Sequence, residues 1–214
     1  MYEFIKNNVE SSDKIFLDAP NRNPLSFNEL HQKLEKVRNN FDNLSINRSD
    51  PVAIVLPNGP DLGFLFIACS CFAISAPLNP NYSKNEFKFY LSDLKAKFLI
   101  VDPDLKTEAS KAAFELGITI INLSFEQNIG SLKFTKNNGD SLIKTTNDYE
   151  NDTSLLLHTS GTTSKPKLVQ LSSNNLIKSS LNIGKTLYLN EEDSCLNIMP
   201  LFHIHGLVAV LLTS

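Results

Sequence analysis

The sequence lacks the features that mark several broad classes of protein. Its 214 residues carry a net charge of only −3 at pH 7, with no clustered basic excess, which removes the electrostatic footprint expected of a nucleic-acid binder. Three cysteines, Cys69, Cys71 and Cys195, show no disulfide-framework spacing, and the first two flank a single residue. A reducing compartment and buried thiols are therefore expected. The N-terminal run Met1-Tyr2-Glu3-Phe4-Ile5-Lys6 has no basic region leading into an apolar one, so no signal peptide is legible. The longest apolar stretch, around Phe64 to Leu78, is too short and interrupted for a membrane span of about 20 residues. No internal repeat and no long low-complexity tract is present, beyond a general richness in asparagine. No glycine precedes either lysine of the run Thr159–Lys167 at Walker spacing, which excludes G-x-x-x-x-G-K-[ST].

What is present is ordinary globular material, 42% hydrophobic and 20% charged, enough to bury a core. The length allows one large or two small domains at roughly 100–200 residues each. Residues 14–18 and 25–27 flank the turn Asn21-Arg22-Asn23-Pro24 and predict a hairpin. Ser26 can cap a helix whose apolar positions are Leu30, Leu34, Val37 and Phe41. Val52-Ala53-Ile54-Val55-Leu56 predicts a strand buried on both faces. A turn at 57–60, a helix over 61–74, an extended piece at 76–78 and a helix over 83–94 follow. Strands at 98–101 and 118–121 bracket a helix over 107–116. Strands alternating with helices predict an α/β fold with βαβ units and a mostly parallel sheet.

From about residue 122 to 152 the pattern dissolves into polar, turn-rich sequence, expected to connect two lobes. The division is then 1–122 for the first α/β lobe, 123–150 for the connection and 151–214 for the start of a second lobe. In the second part Leu155–His158 and Leu168–Leu171 predict short strands, 173–187 a helix, 194–199 a strand, 200–206 a loop, and the residues from Leu207 an apolar helix. The last strand has no following crossover partner in the sequence. Parallel sheets need helical cover on both faces, so the expectation is the front part of a longer protein, truncated within its second lobe.

Between the strands at 155–158 and 168–171 lies Thr159-Ser160-Gly161-Thr162-Thr163-Ser164-Lys165-Pro166-Lys167. It offers closely spaced backbone amides, hydroxyls and two ammonium groups to an anion, with no carboxylate beside them in the sequence. A loop of this composition between strands suits phosphate better than a plain surface turn.

The run from His158 to Lys167 resembles the phosphate-binding signature of the adenylate-forming acyl-CoA synthetases, the AMP-binding superfamily. Three more stretches resemble that family's motifs in its order: Leu25-Ser-Phe-Asn-Glu-Leu30, Ala76-Pro-Leu-Asn-Pro80 and Met199-Pro-Leu-Phe-His-Ile-His-Gly206. Ser164 stands where the common loop has glycine, and with His158-Thr159 and the Pro-Leu-Phe-His-x-His-Gly run this looks most like oxalate–CoA ligase. Leu168 departs from the usual glycine, and Lys165 stands where that group often has arginine, keeping the charge without the planar fork.

The resemblance implies an ATP-dependent acid–CoA ligase acting on a small carboxylic acid, ATP and coenzyme A with Mg²⁺. A carboxylate attacks the α-phosphate of ATP to give an acyl-adenylate and pyrophosphate, and the coenzyme A thiol then displaces AMP. Thr159, Ser160, Gly161, Thr162, Thr163, Ser164, Lys165 and Lys167 would bind the ATP phosphates, and His203 the acyl substrate. No complete catalytic set and no metal ligand is assigned here, because the family's Mg²⁺-binding glutamate, ribose-binding aspartate and mobile lysine are expected beyond residue 214. The chain alone is expected to be inactive. Alternatives are a medium-chain fatty or aryl acid as substrate, or a truncated product that binds a partner. No nucleic acid and no membrane span are expected, and oligomeric state is left open. The expected location is cytoplasmic, or peroxisomal if a missing C-terminus carries the address. Other residues have simpler readings. His158 would help position the loop, His205 would be packed and hydrogen-bonded, and Phe64, Phe66, Phe72 and Phe202 would be core. A His203–His205 metal pair is thin without a third ligand.

Overall fold

The computed structural model describes residues 1–10, 12–137, 149–159 and 166–214. Helix α1 (Tyr2–Asn8) leads to the antiparallel pair β1 (Ile15–Leu17) and β2 (Leu25–Ser26), the hairpin predicted around residues 21–24. Ser26 ends β2 and caps α2 (Phe27–Asn43). The Ser26 hydroxyl accepts from the Glu29 amide at 3.3 Å, and the Glu29 carboxylate accepts from the Ser26 amide at 3.2 Å. This reciprocal box satisfies two amides that the first turn leaves free. Leu30, Leu34, Val37 and Phe41 are all buried, as their spacing predicts.

Next come β3 (Pro51–Val55), α3 (Pro60–Phe72), β4 (Ile74–Pro77), α4 (Lys84–Asp93), β5 (Phe98–Val101), α5 (Ala109–Glu115) and β6 (Thr119–Phe125). Strand β3 pairs in parallel with β4 and β5, and β5 with β6. Because side chains alternate across a strand, Val52 and Ile54 join α2 and α3 in one core, while Ala53 and Val55 join α4 and α5 in the other. Both faces are covered, which is why β3 reads as an unbroken apolar run. Helix α3 is buried from Asp61 to Cys71, since it lies between the sheet and the outer helices. Among the described residues no helix is long and apolar enough to cross a membrane.

The polar region after residue 122 is not simply a connection. Strand β6 continues to Phe125, and β7 (Leu132–Lys136) folds back on it antiparallel. Leu132 and Phe134 pack against the α2–α3 core while Lys133 and Thr135 face out. A five-residue edge strand with one wet face carries too few apolar positions for its period to stand out. The sheet also does not break at 123–150. Strand β8 (Thr153–Thr159) adds parallel to β4, and β9 (Lys167–Ser172) returns antiparallel to β8. The result is one seven-stranded sheet, ordered β7-β6-β5-β3-β4-β8-β9. Residues from 151 thus extend the first lobe's sheet, because β4 offers a free edge and Leu155, Leu156 and Leu157 fill both of its existing cores.

Helix α6 (Ser173–Leu187) is capped by Ser172 and Asn175 in the same reciprocal way as α2. Residues 194–199, predicted as a strand, form no ladder. Leu196 and Ile198 are 85% and 78% exposed, since among the described residues no strand offers them an edge. The apolar element that follows is a π-helical turn, His205–Leu211.

The thiols divide accordingly. Burial pushes Cys69 well above the ordinary thiol range and Cys71 up to about 12, whereas Cys195 is exposed on the unpaired segment, contrary to the expectation that all are buried. Only a thiolate attacks a disulfide reagent. We expect one thiol per chain to react with Ellman's reagent in the native state and all three cysteines in denaturant. Titration of the native chain at mildly alkaline pH checks this, and a second fast-reacting thiol would contradict it.

Candidate active site

In parallel α/β sheets ligands bind beyond the carboxyl ends of the strands, where loops leave the sheet toward helices. Three segments meet that edge here. The first is the β8–β9 hairpin. Leu155 pairs with Ser75, so β8 continues past the end of β4 at Pro77 and carries Thr159 out beyond it. Thr159 lies opposite Lys167 as the last pair of the ladder, and both side chains are exposed. An antiparallel return is what brings these two to the same open end. Ser160, Gly161, Thr162, Thr163, Ser164 and Lys165 lie outside the described residues.

The second segment is the turn after β3, Pro57-Asn58-Gly59, which leads into α3. The third is the run 199–206, and Asn58 ties it to that turn: its Oδ1 accepts from the Leu201 amide at 2.8 Å. Leu201 is buried close to Gly63 of α3. Asn197 secures the other end, donating to the Gly206 carbonyl at 3.1 Å and accepting from the Met199 amide at 3.1 Å. Gly206 has a steric reason to be glycine, because a Cβ there would lie 2.5 Å from the Pro200 carbonyl oxygen. Gly206→Ala is therefore expected to cost about 1–3 kcal/mol by forced backbone displacement, read as a lowered Tm. An unchanged melting curve would mean the run yields freely.

His203 stands exposed in this tied run, its ring 4.8 Å from that of Phe202. His205 is exposed as well, not packed as expected, because it opens the π-helical turn on the solvent side. Phe64 and Phe66 are fully buried, whereas Phe72 and Phe202 are half-buried. Among the described residues no group of three or more His, Cys, Asp or Glu could hold a metal ion, so the two histidines gain no third ligand.

His158 occupies the position just before Thr159. Its Nε2 lies 2.8 Å from Asp93 Oδ2 at the end of α4, and its ring meets that of Tyr90 edge-on at 4.7 Å. Sequence reading finds neither Asp93 nor Asn58. Asp93 gives no local signal, since only the packing of α4 brings it to β8. Asn58 does give one, as the polar residue in the turn at the carboxyl end of a fully buried strand.

Residues 4–214 match the AMP-binding enzyme family. The chain belongs to that family. Among curated relatives, a probable CoA ligase of Humulus lupulus, CCL9, is 39% identical over 198 residues, covering 88% of this chain and 38% of the relative. The oxalate–CoA ligase of Arabidopsis thaliana is 35% identical over 207 residues, covering 94% of this chain and 40% of the relative. Among solved structures, ATP-bound MatB from Rhodopseudomonas palustris superposes with a TM-score of 0.80 at 21% identity, over 99% of this chain and 42% of that one. This chain thus spans about two-fifths of the length of these three proteins. Over that span MatB shares the fold of this chain, which is a mixed, mainly parallel sheet.

Proposed function

We propose that the chain is the ATP-gripping front part of an acid–CoA ligase whose acid is oxalate. The observation that carries this reading is the β8–β9 hairpin, which presents Thr159 and Lys167 together at the carboxyl edge of the sheet. Family membership and the oxalate–CoA ligase activity of the Arabidopsis relative support it, as does Ser164 in place of the usual glycine. The loop Thr159–Lys167 holds the β- and γ-phosphates of ATP through amides, hydroxyls and the ammoniums of Lys165 and Lys167. Bringing a carboxylate to a polyphosphate sets two anions together, and charge builds on the departing pyrophosphate, so fixed cations and donors lower that barrier. His203, held at the rim by the Asn58 and Asn197 ties, orients the incoming carboxylate. Coenzyme A then takes the acyl group from the adenylate. The location we propose is cytoplasmic, with a peroxisomal address as the alternative.

ATP–pyrophosphate exchange tests this. The complete ligase should exchange with oxalate and far more slowly with medium-chain fatty or aryl acids, and the 214-residue chain alone should bind ATP weakly and form no acyl-adenylate. Exchange that prefers a fatty or aryl acid would replace oxalate, and acyl-adenylate made by the chain alone would overturn its inactivity.

A second reading, a product that acts by binding a partner, is favoured by the exposed apolar residues Leu181, Leu187, Tyr188, Leu196 and Ile198. Size-exclusion chromatography separates the two, since a clean monomer argues against a sticky face.

A further inference from the structure

The imidazole of His158 is held more closely than packing requires. Its side chain is 5% exposed, and Nε2 shares a hydrogen with the Asp93 carboxylate at 2.8 Å. The ring edge meets Tyr90, which itself stacks on Tyr82 at 4.5 Å. The Asp93 carboxylate accepts, so the hydrogen of this bond sits on Nε2, and Nδ1 is left buried with no partner among the described residues. A buried polar atom without a partner destabilises. In this aromatic setting, beside Phe89, Tyr90 and Tyr82, a phenyl ring would pack without that cost. The polar ring is therefore explained by the bond to Asp93 and not by the packing.

That bond spans two elements. Helix α4 packs on the sheet through the fully buried Phe87 and Leu91, and Asp93 follows at its C-terminal end, 42% exposed at the side chain. His158 is the penultimate residue of β8, and Thr159 opposite Lys167 closes the ladder. A tie from α4 to residue 158 thus fixes the direction in which β8 leaves the sheet, one residue before the Thr159–Lys167 run begins.

We propose that Asp93 and His158 are positioning residues for the phosphate loop. They preorganise the strand end that carries Thr159 and raise affinity for the ATP triphosphate without touching it, by reducing the ordering left to be done on binding. This rests on the reading of Thr159–Lys167 as an ATP-phosphate loop.

The test is titration of the 214-residue chain with ATP and with pyrophosphate, followed by NMR, which reads weak binding. His158→Phe keeps the aromatic packing and removes the bond, and should raise the Kd for ATP about three- to tenfold, a loss typical of a charge-assisted hydrogen bond only partly transmitted. His158→Gln places an amide where Nε2 stood and should restore affinity to within about twofold of wild type. Asp93→Ala should match His158→Phe, and the double variant should be no weaker than either alone, as members of one unit behave. Melting curves accompany each variant. Asp93, on the half-open surface, carries the test if His158→Phe fails to fold. Wild-type binding with unchanged affinity in His158→Phe, or losses that add in the double variant, would overturn the inference. A wild-type chain that binds neither ATP nor pyrophosphate would overturn the phosphate-loop reading itself and this inference with it.

Discussion

On the ligase function proposed above, Lys167→Ala in the complete protein is expected to lower the rate of ATP–pyrophosphate exchange by roughly 10²–10³-fold, the loss typical of one preorganised group that stabilises charge in the transition state. Lys167 ends the β8–β9 ladder opposite Thr159, its side chain exposed at the carboxyl edge of the sheet. Among the described residues no salt bridge engages it, which leaves its ammonium open to an anion. Charge builds on pyrophosphate as it leaves, and a cation held there matters most at that moment. The loss should appear mainly in the rate, because an interaction that strengthens as the bond breaks acts more on the transition state than on bound ATP. Lys167→Arg keeps the charge and should recover most of the activity. Exchange within about threefold of wild type in Lys167→Ala would remove this lysine from the phosphate site.

Arg48→Ala is expected to be the most destabilising single change outside the apolar core. The Arg48 guanidinium donates to the carbonyls of Ala73 and Thr153 and to the Ser154 hydroxyl, each at 2.7 Å. Ser154 in turn lies 2.5 Å from the Ser173 hydroxyl at the start of α6. One side chain thus joins the end of α3, the start of β8 and the first turn of α6. Desolvation holds the guanidinium below its usual pKa range, and the nearby Asp152 opposes that shift. Removing it leaves two carbonyls and a hydroxyl short of partners, for about 2–4 kcal/mol. In a domain of this size that lowers Tm by roughly 5–15 °C. Arg48→Lys should recover only part, since an ammonium lacks the planar fork that reaches three acceptors. A melting temperature within a degree or two of wild type in Arg48→Ala would show the three bonds to be replaced by water.

Much of the local structure is legible residue by residue. Ser26 with Glu29 announces the start of α2, and Ser172 with Asn175 opens α6, because a capping box is a signal only four residues long. The buried helices and the strands from β3 to β6 follow from period and from the turn at Pro57–Pro60. Edge elements behave otherwise. Strand β7 is half wet and borrows its stability from β6, while 194–199 alternates like a strand and yet finds no neighbour. The same local pattern therefore yields a ladder in one case and an exposed segment in the other, according to whether an edge is within reach.

For the candidate site the sequence by itself determined the chemistry available: hydroxyls, amides and ammoniums from Thr159 to Lys167, histidine at 203, and motifs spaced as in the AMP-binding enzymes. Composition and order along the chain are enough for that. Only the tertiary structure decided where these groups stand. It set β8 beside β4, returned β9 antiparallel so that Lys167 meets Thr159, tied 199–206 to Asn58, and brought Asp93 to His158 across 65 residues of chain. Those placements depend on which sheet edge is free and which helix covers it, and such long-range pairings leave no periodic trace in the residues that make them.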